Sequence, residues 1–218
     1  MPDEKVDESR RKFLKIVAIG SAVVTLGGFT LTLPYLILPK IGLNSFPTLT
    51  LVDSNGNPIK ASTIPVNSPT ITLFNYPLLN EPNFLLNLGK QVPGGVGPNN
   101  SIVAYSAICQ HLGCVPPSIK FYPPGSPPIG GLTSYIKCNC HGSVFDPANN
   151  GKVVMAPAAY SLPMCILSYD PTTDTLQATK MSGPVIFGHG TLGSNNINDD
   201  LTGGSPPTNN NTIVSTLG

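Results

Sequence analysis

Charge is what this sequence has least of. Charged residues make up 11% of the chain, against about 25% in ordinary soluble proteins. Beyond Lys40 there is no arginine, and the charge reduces to six lysines (Lys60, Lys90, Lys120, Lys137, Lys152, Lys180) and seven acids (Asp53, Glu81, Asp146, Asp170, Asp174, Asp199, Asp200). So few cations exclude nucleic acid as a partner, because no basic stripe is available to meet a phosphate backbone. The lysine- and glutamate-rich surface of many hot-adapted proteins is absent too. Few carboxylates leave few groups whose protonation would unsettle the fold in acid, which points to an acidic exterior. A lineage-wide compositional bias accounts for the same numbers. Histidine is also scarce, with only His111, His141 and His189.

Long amphipathic helical patterns are missing outside the N-terminus, and the texture from Thr48 onward is β. Residues 49–53 lead into a turn at 54–58, 70–74 alternate with the two-residue period of a half-buried strand, and 101–105 and 134–137 read as further strands. Residues 165–169 and 175–179 read as a hairpin around Asp170-Pro171-Thr172-Thr173-Asp174. With 24 prolines and 22 glycines to make turns, the expected fold class is a mainly β, antiparallel domain. Residues 188–218 dissolve into Gly, Asn, Ser and Thr and are expected to form a polar, extended tail. Asn99-Asn100-Ser101 and Asn210-Asn211-Thr212 are glycosylation sequons, compatible with an external surface.

The N-terminus carries an address. Ser9-Arg10-Arg11-Lys12-Phe13-Leu14-Lys15 matches the twin-arginine export signal. Residues 16–38 then run for 23 positions without a charge, long enough for one transmembrane helix. A cleaved signal would have a shorter apolar core and a small-residue cleavage site. A retained anchor is therefore expected, with residues 1–15 cytoplasmic, 39–47 a tether, and 48–187 a domain on the outer face.

Two boxes carry the chemistry: Cys109-Gln110-His111-Leu112-Gly113-Cys114 and Cys138-Asn139-Cys140-His141-Gly142-Ser143. Two thiolates and two imidazoles on two loops suit a mixed-ligand [2Fe–2S] cluster, in which one iron takes sulfur and the other nitrogen. Such a centre moves single electrons at a raised potential. Zinc fits less well, since its ligand pairs are usually spaced C-x2–4-C and H-x3–5-H. A pair of structural disulfides would leave both histidines unexplained. Cys165 lies in an apolar run and reads as a buried core thiol, and His189 reads as a loop residue.

The C-x-H-x-G-C and C-x-C-H-G-S boxes resemble those of the Rieske iron–sulfur proteins. The resemblance implies that Cys109 and Cys138 hold one iron and His111 and His141 the other. It implies that Cys114 and Cys140 pair as the disulfide found in one branch of the family, closing a loop of about 25 residues at a gain of a few kcal/mol. It also implies a cluster-binding subdomain at about 104–162 inserted into a β base. Ser143 would give its hydroxyl to a bridging sulfur, and Met155–Ala159, with Pro157 at its centre, would cover the cofactor. Three features depart from the family pattern. The 26 residues between His111 and Cys138 exceed the usual length, and the excess at 116–132 is expected to be a surface loop. Phe145 stands where respiratory members often carry tyrosine, which implies a somewhat lower potential. Gln110 replaces the more usual threonine.

The twin-arginine route exports folded, cofactor-loaded proteins, so the two signals agree. What the resemblance implies is a redox subunit of a respiratory, quinol-oxidising membrane complex. His111 and His141 would be its quinol contacts, a b-type cytochrome its partner, and the tether a device that lets the head move. Two alternatives remain. One is the Rieske small subunit of an exported molybdenum oxidase, similar to arsenite oxidase. The other is a soluble ferredoxin for a ring-hydroxylating oxygenase, whose kind lacks the extra cysteine pair.

Overall fold

The computed structural model describes residues 44–183 and 209–217. The twin-arginine segment, the 16–38 anchor, His189 and most of the 188–218 segment lie outside these. Among the described residues no helix is long and apolar enough to cross a membrane, and the single helix is a short 3-10 turn, Ala61–Thr63.

The rest is strand. In chain order these are β1 (Asn44–Val52), β2 (Ile71–Asn75), β3 (Pro82–Asn87), β4 (Ile102–Ser106), β5 (Ile119–Tyr122), β6 (Tyr135–Cys138), β7 (Val144–Asp146), β8 (Lys152–Met155), β9 (Met164–Asp170), β10 (Thr175–Ser182), β11 (Asn211–Ile213) and β12 (Ser215–Leu217). Eight form one sheet in the order β11-β1-β10-β9-β4-β3-β2-β12, and β5-β6-β7-β8 form a second. The second sheet is thus an insertion between β4 and β9, neighbours in the first. The mainly β class expected from the sequence is what forms.

Two cores explain the sequence pattern. Alternate residues of β2, β3 and β4 point to opposite faces. Phe74, Leu85, Ile102 and Ala104 join Leu49, Leu51, Cys165 and Leu176 in one core. Leu73, Phe84, Leu86, Val103 and Tyr105 join Ile119, Phe121, Ile136, Cys138 and Phe145 of the second sheet in the other. With a core on each face, β4 is buried at every position, and β2 shows no clean polar–apolar alternation. Tyr105 adds a polar tie between base and insertion, its hydroxyl donating to the Pro147 carbonyl at 2.8 Å. Cys165 is fully buried, as its apolar run predicted.

The β9–β10 hairpin forms as expected, its turn pinned by Asp170, which accepts from the Thr172 N–H and the Thr173 hydroxyl. Three expectations change. Residues 44–47 are not tether but the start of β1, where Asn44 and Ser45 face Met181 and Lys180 on β10. The end of the polar tail is strand: β11 pairs parallel with β1 and β12 antiparallel with β2. Its Thr212-Ile213-Val214-Ser215-Thr216 run is rich in β-branched residues, and the open sheet edges supply what polar composition did not reveal. The 116–132 segment is not all loop either. Its Ile119 and Phe121 are buried and make β5, antiparallel to β6.

Candidate metal centre

Both boxes fold into the same turn. In the first, Cys109 donates its N–H to the Cys114 carbonyl at 2.9 Å, and Gly113 donates to Cys109 at 3.0 Å. In the second, Cys138 donates to Ser143 at 2.9 Å, and Gly142 donates to Cys138 at 2.9 Å. Gly113 (φ 75°) and Gly142 (φ 91°) occupy the left-handed conformation each turn requires, which glycine adopts without steric cost. The first loop follows β4 and the second joins β6 to β7, so the two sheets bring the boxes face to face.

The turns sort the six side chains by depth. Cys109 and Cys138 are each 1% exposed. The Cys109 sulfur meets the Cys138 thiol, the His111 backbone N–H and the Ser143 hydroxyl. Burial pushes the Cys109 thiol up to about 12, and contact with Cys138 adds to the rise, while the His111 N–H and the Ser143 hydroxyl oppose it. His111 and His141 lie toward the surface, ring centroids 4.8 Å apart and planes at 86°. His141 is exposed. The His111 Nδ1 is buried with no hydrogen-bond partner among the described residues, so it faces inward.

Cys114 and Cys140 form a disulfide between the two loops, with Cα atoms 6.8 Å apart. Their sulfurs and that of Cys138 lie within 4.8 Å of one another. Two of those three are committed to the bridge, so the trio is no ligand set; it places the disulfide against Cys138. Ser143 is fully buried, and its Oγ accepts from the Ala158 N–H at 2.9 Å. The Met155–Ala159 segment is thereby fastened over the second box, with Ala158 packed in the same core as Cys109 and Cys138 and Pro157 exposed. Phe145 is buried in that core. Gln110 turns inward, its Nε2 donating to the Ile108 carbonyl at 3.2 Å.

The donors present fit a mixed-ligand iron–sulfur cluster. Two adjacent buried thiols are costly to ionise without a cation, and the buried His111 Nδ1 in the first box has no hydrogen-bond partner among the described residues. One contact has no motif in the sequence: the Tyr122 hydroxyl, on β5, donates to Asn139 Oδ1 at 3.0 Å. The partners lie 17 residues apart, and only the β5–β6 pairing brings them together.

Comparison with known proteins agrees with this geometry. A family profile described as "Rieske [2Fe-2S] domain" matches residues 78–166. The cytochrome b6-f complex iron-sulfur subunit of Prochlorococcus marinus (strain MIT 9211) is 34% identical over 163 residues, covering 74% of this chain and 80% of the relative. Iodate reductase subunit IdrB of Denitromonas iodatirespirans is 28% identical over 186 residues, covering 85% and 87%. Among solved structures, the soluble domain of the Rieske protein II (soxF) from Sulfolobus acidocaldarius superposes with a TM-score of 0.53 at 27% identity, covering 73% of this chain and 91% of that one.

Proposed function

The chain belongs to the Rieske [2Fe–2S] iron–sulfur family, and from that premise we propose that it is the Rieske subunit of a membrane complex that oxidises quinol. Its cofactor is a Rieske-type cluster and its work is electron transfer within an oxidoreductase complex. In the proposed assignment Cys109 and Cys138 hold one iron and His111 and His141 the other. When bound, the cluster supplies a one-electron acceptor whose potential is raised by imidazole ligation.

The observation that carries the quinol reading is the placement of the two imidazoles at the surface above two buried sulfurs. His111 turns Nδ1 inward, and beside it the exposed His141 ring offers a nitrogen at the surface. A quinol hydroxyl can donate a hydrogen bond to such a nitrogen and pass its proton there as its electron departs. In the same assignment Pro157 and Ser143 line the cofactor and the Cys114–Cys140 disulfide ties the two loops over it. The proposed partner is a b-type cytochrome subunit, in keeping with relatives named as cytochrome b6-f complex subunits. Retention by residues 16–38, with residues 1–15 inside and the cluster domain on the outer face, completes the proposal.

The iodate reductase relative favours a second reading. Here the chain is the Rieske small subunit of an exported molybdenum oxidase, and passes electrons between proteins without meeting quinol. Electron paramagnetic resonance on the purified chain separates the possibilities. A Rieske-type signal present with ascorbate, with a potential that falls as pH rises and a line shape altered by a quinone-site inhibitor in the isolated complex, is expected. A signal indifferent to quinol and inhibitor supports the second reading. Absence of any such signal overturns both.

A further inference from the structure

The second box is the more exposed loop, and its tip is held from the segment that lengthens the chain between the boxes. Asn139, Cys140 and His141 are all exposed. Two backbone bonds close the turn from within, but neither reaches the tip. Three contacts reach it from outside. The disulfide holds Cys140 to Cys114. The Asn139 N–H donates to the Ser118 carbonyl at 2.7 Å. The Tyr122 hydroxyl donates to Asn139 Oδ1 at 3.0 Å. Tyr122 is itself fixed: its ring stacks on Tyr135 at 5.0 Å between centroids and 18° between planes, and the Lys120 ammonium lies 5.2 Å from its centroid.

We propose that Tyr122 is a positioning residue for the His141 imidazole, acting through Asn139. A single covalent anchor at Cys140 leaves the tip free to rotate about that point. A second anchor one residue earlier, made from both the backbone and the side chain of Asn139, removes the rotation and so sets the direction in which His141 leaves the loop. The anchor is economical because the Tyr122 ring is already ordered by its stack, so little rotamer freedom is lost in forming the bond. The extra segment between the boxes is thus a buttress: β5 pairs with β6, and Ser118, just before β5, and Tyr122, its last residue, grip the residue between Cys138 and Cys140. The proposal rests on the assignment of Cys138 and His141 as ligands.

The test is electron paramagnetic resonance of the full-length, cluster-loaded chain, together with the rate of cluster loss to a chelator. Four variants are compared with wild type: Y122F, N139A, the double variant, and Y135F. Y135F removes a different bond of the same segment, from the Tyr135 hydroxyl to the Pro127 carbonyl, and leaves Asn139 untouched. Y122F and N139A are expected to broaden the g-lines alike and to speed cluster loss several-fold. The double variant should be no worse than either, and Y135F should match wild type. Should Y122F fail to fold, N139A reads the same bond from its other end. Wild-type lines in Y122F or N139A, additive effects in the double variant, or equal broadening in Y135F would overturn the positioning role. A wild type lacking a Rieske-type signal would instead overturn the ligand assignment, and the two failures are distinguishable.

Discussion

At the scale of residues, the sulfurs are tuned by what can donate a hydrogen bond to them, since such bonds favour the reduced, more negative cluster. Ser143 is one donor, its hydroxyl meeting the Cys109 sulfur while its oxygen accepts from Ala158. Phe145, buried in the same core as Cys109 and Cys138, offers none. Phe145→Tyr is therefore expected to raise the reduction potential, and Ser143→Ala to lower it. A hydrogen bond worth about 1 kcal/mol corresponds to about 40 mV in a one-electron couple, so shifts of tens of millivolts are expected in a redox titration. No upward shift in Phe145→Tyr would refute the tuning argument. Ser143→Ala carries a second cost of about 1–3 kcal/mol, because it leaves the buried Ala158 N–H unpartnered. The boxes were legible in the sequence because each gathers its side chains within six positions. The Tyr122–Asn139 bond was not, because it depends on strand register.

Elements decide which of those side chains meet. The four-stranded sheet carries the second box between β6 and β7, and the eight-stranded sheet carries the first just beyond β4. The Cys114–Cys140 bridge joins loops that the chain separates by 26 positions. Replacing both cysteines by serine is expected to cost about 3 kcal/mol, read as a lower melting temperature, and to speed cluster loss. An unchanged melting temperature would show that the two sheets alone hold the loops together. The other joint is the C-terminal segment, which binds both edges of the large sheet through β11 on β1 and β12 on β2. The Thr212 hydroxyl adds a bond to the Asn75 carbonyl at 2.7 Å. Removing residues 209–218 is expected to lower the melting temperature and to raise amide exchange at Thr50–Val52 and Ile71–Leu73; exchange unchanged there would show the closure to be incidental. Strand pairs close in sequence, such as β9 and β10, were readable from alternation and turn residues. The closing segment was not, because its partners lie well over a hundred residues away and its polar composition disguises a β-branched run.

Across the whole molecule, scarcity of charge becomes a statement about pH. Three carboxylates at the surface of the base, the half-buried Asp53 and Asp174 and the exposed Asp170, sit below the ordinary value of 3.8. The causes are local. The leading ones are the Asn57 N–H and side-chain amide for Asp53, the Thr173 hydroxyl and Thr172 N–H for Asp170, and the Ser62 hydroxyl for Asp174. A carboxylate lowered in the folded state contributes stability that is present above its unfolded value and is lost as pH falls through the folded one. The melting temperature should therefore hold steady from neutrality to about pH 4 and decline only below that, with a shallow slope because so few groups take part. Asp174 offers the direct test. Its side chain ties the β9–β10 hairpin to the 3-10 turn, accepting from Ser62 and from the Tyr169 hydroxyl at 3.1 Å, while its backbone sits in the left-handed region at φ 55°. Asparagine tolerates that conformation, so Asp174→Asn removes the charge without straining the turn. The variant is expected to melt lower than wild type at pH 7, to converge with it below pH 3, and to show a flatter acid limb between. Parallel curves at all pH values would mean that its hydrogen bonds, and not its charge, link folding to acid.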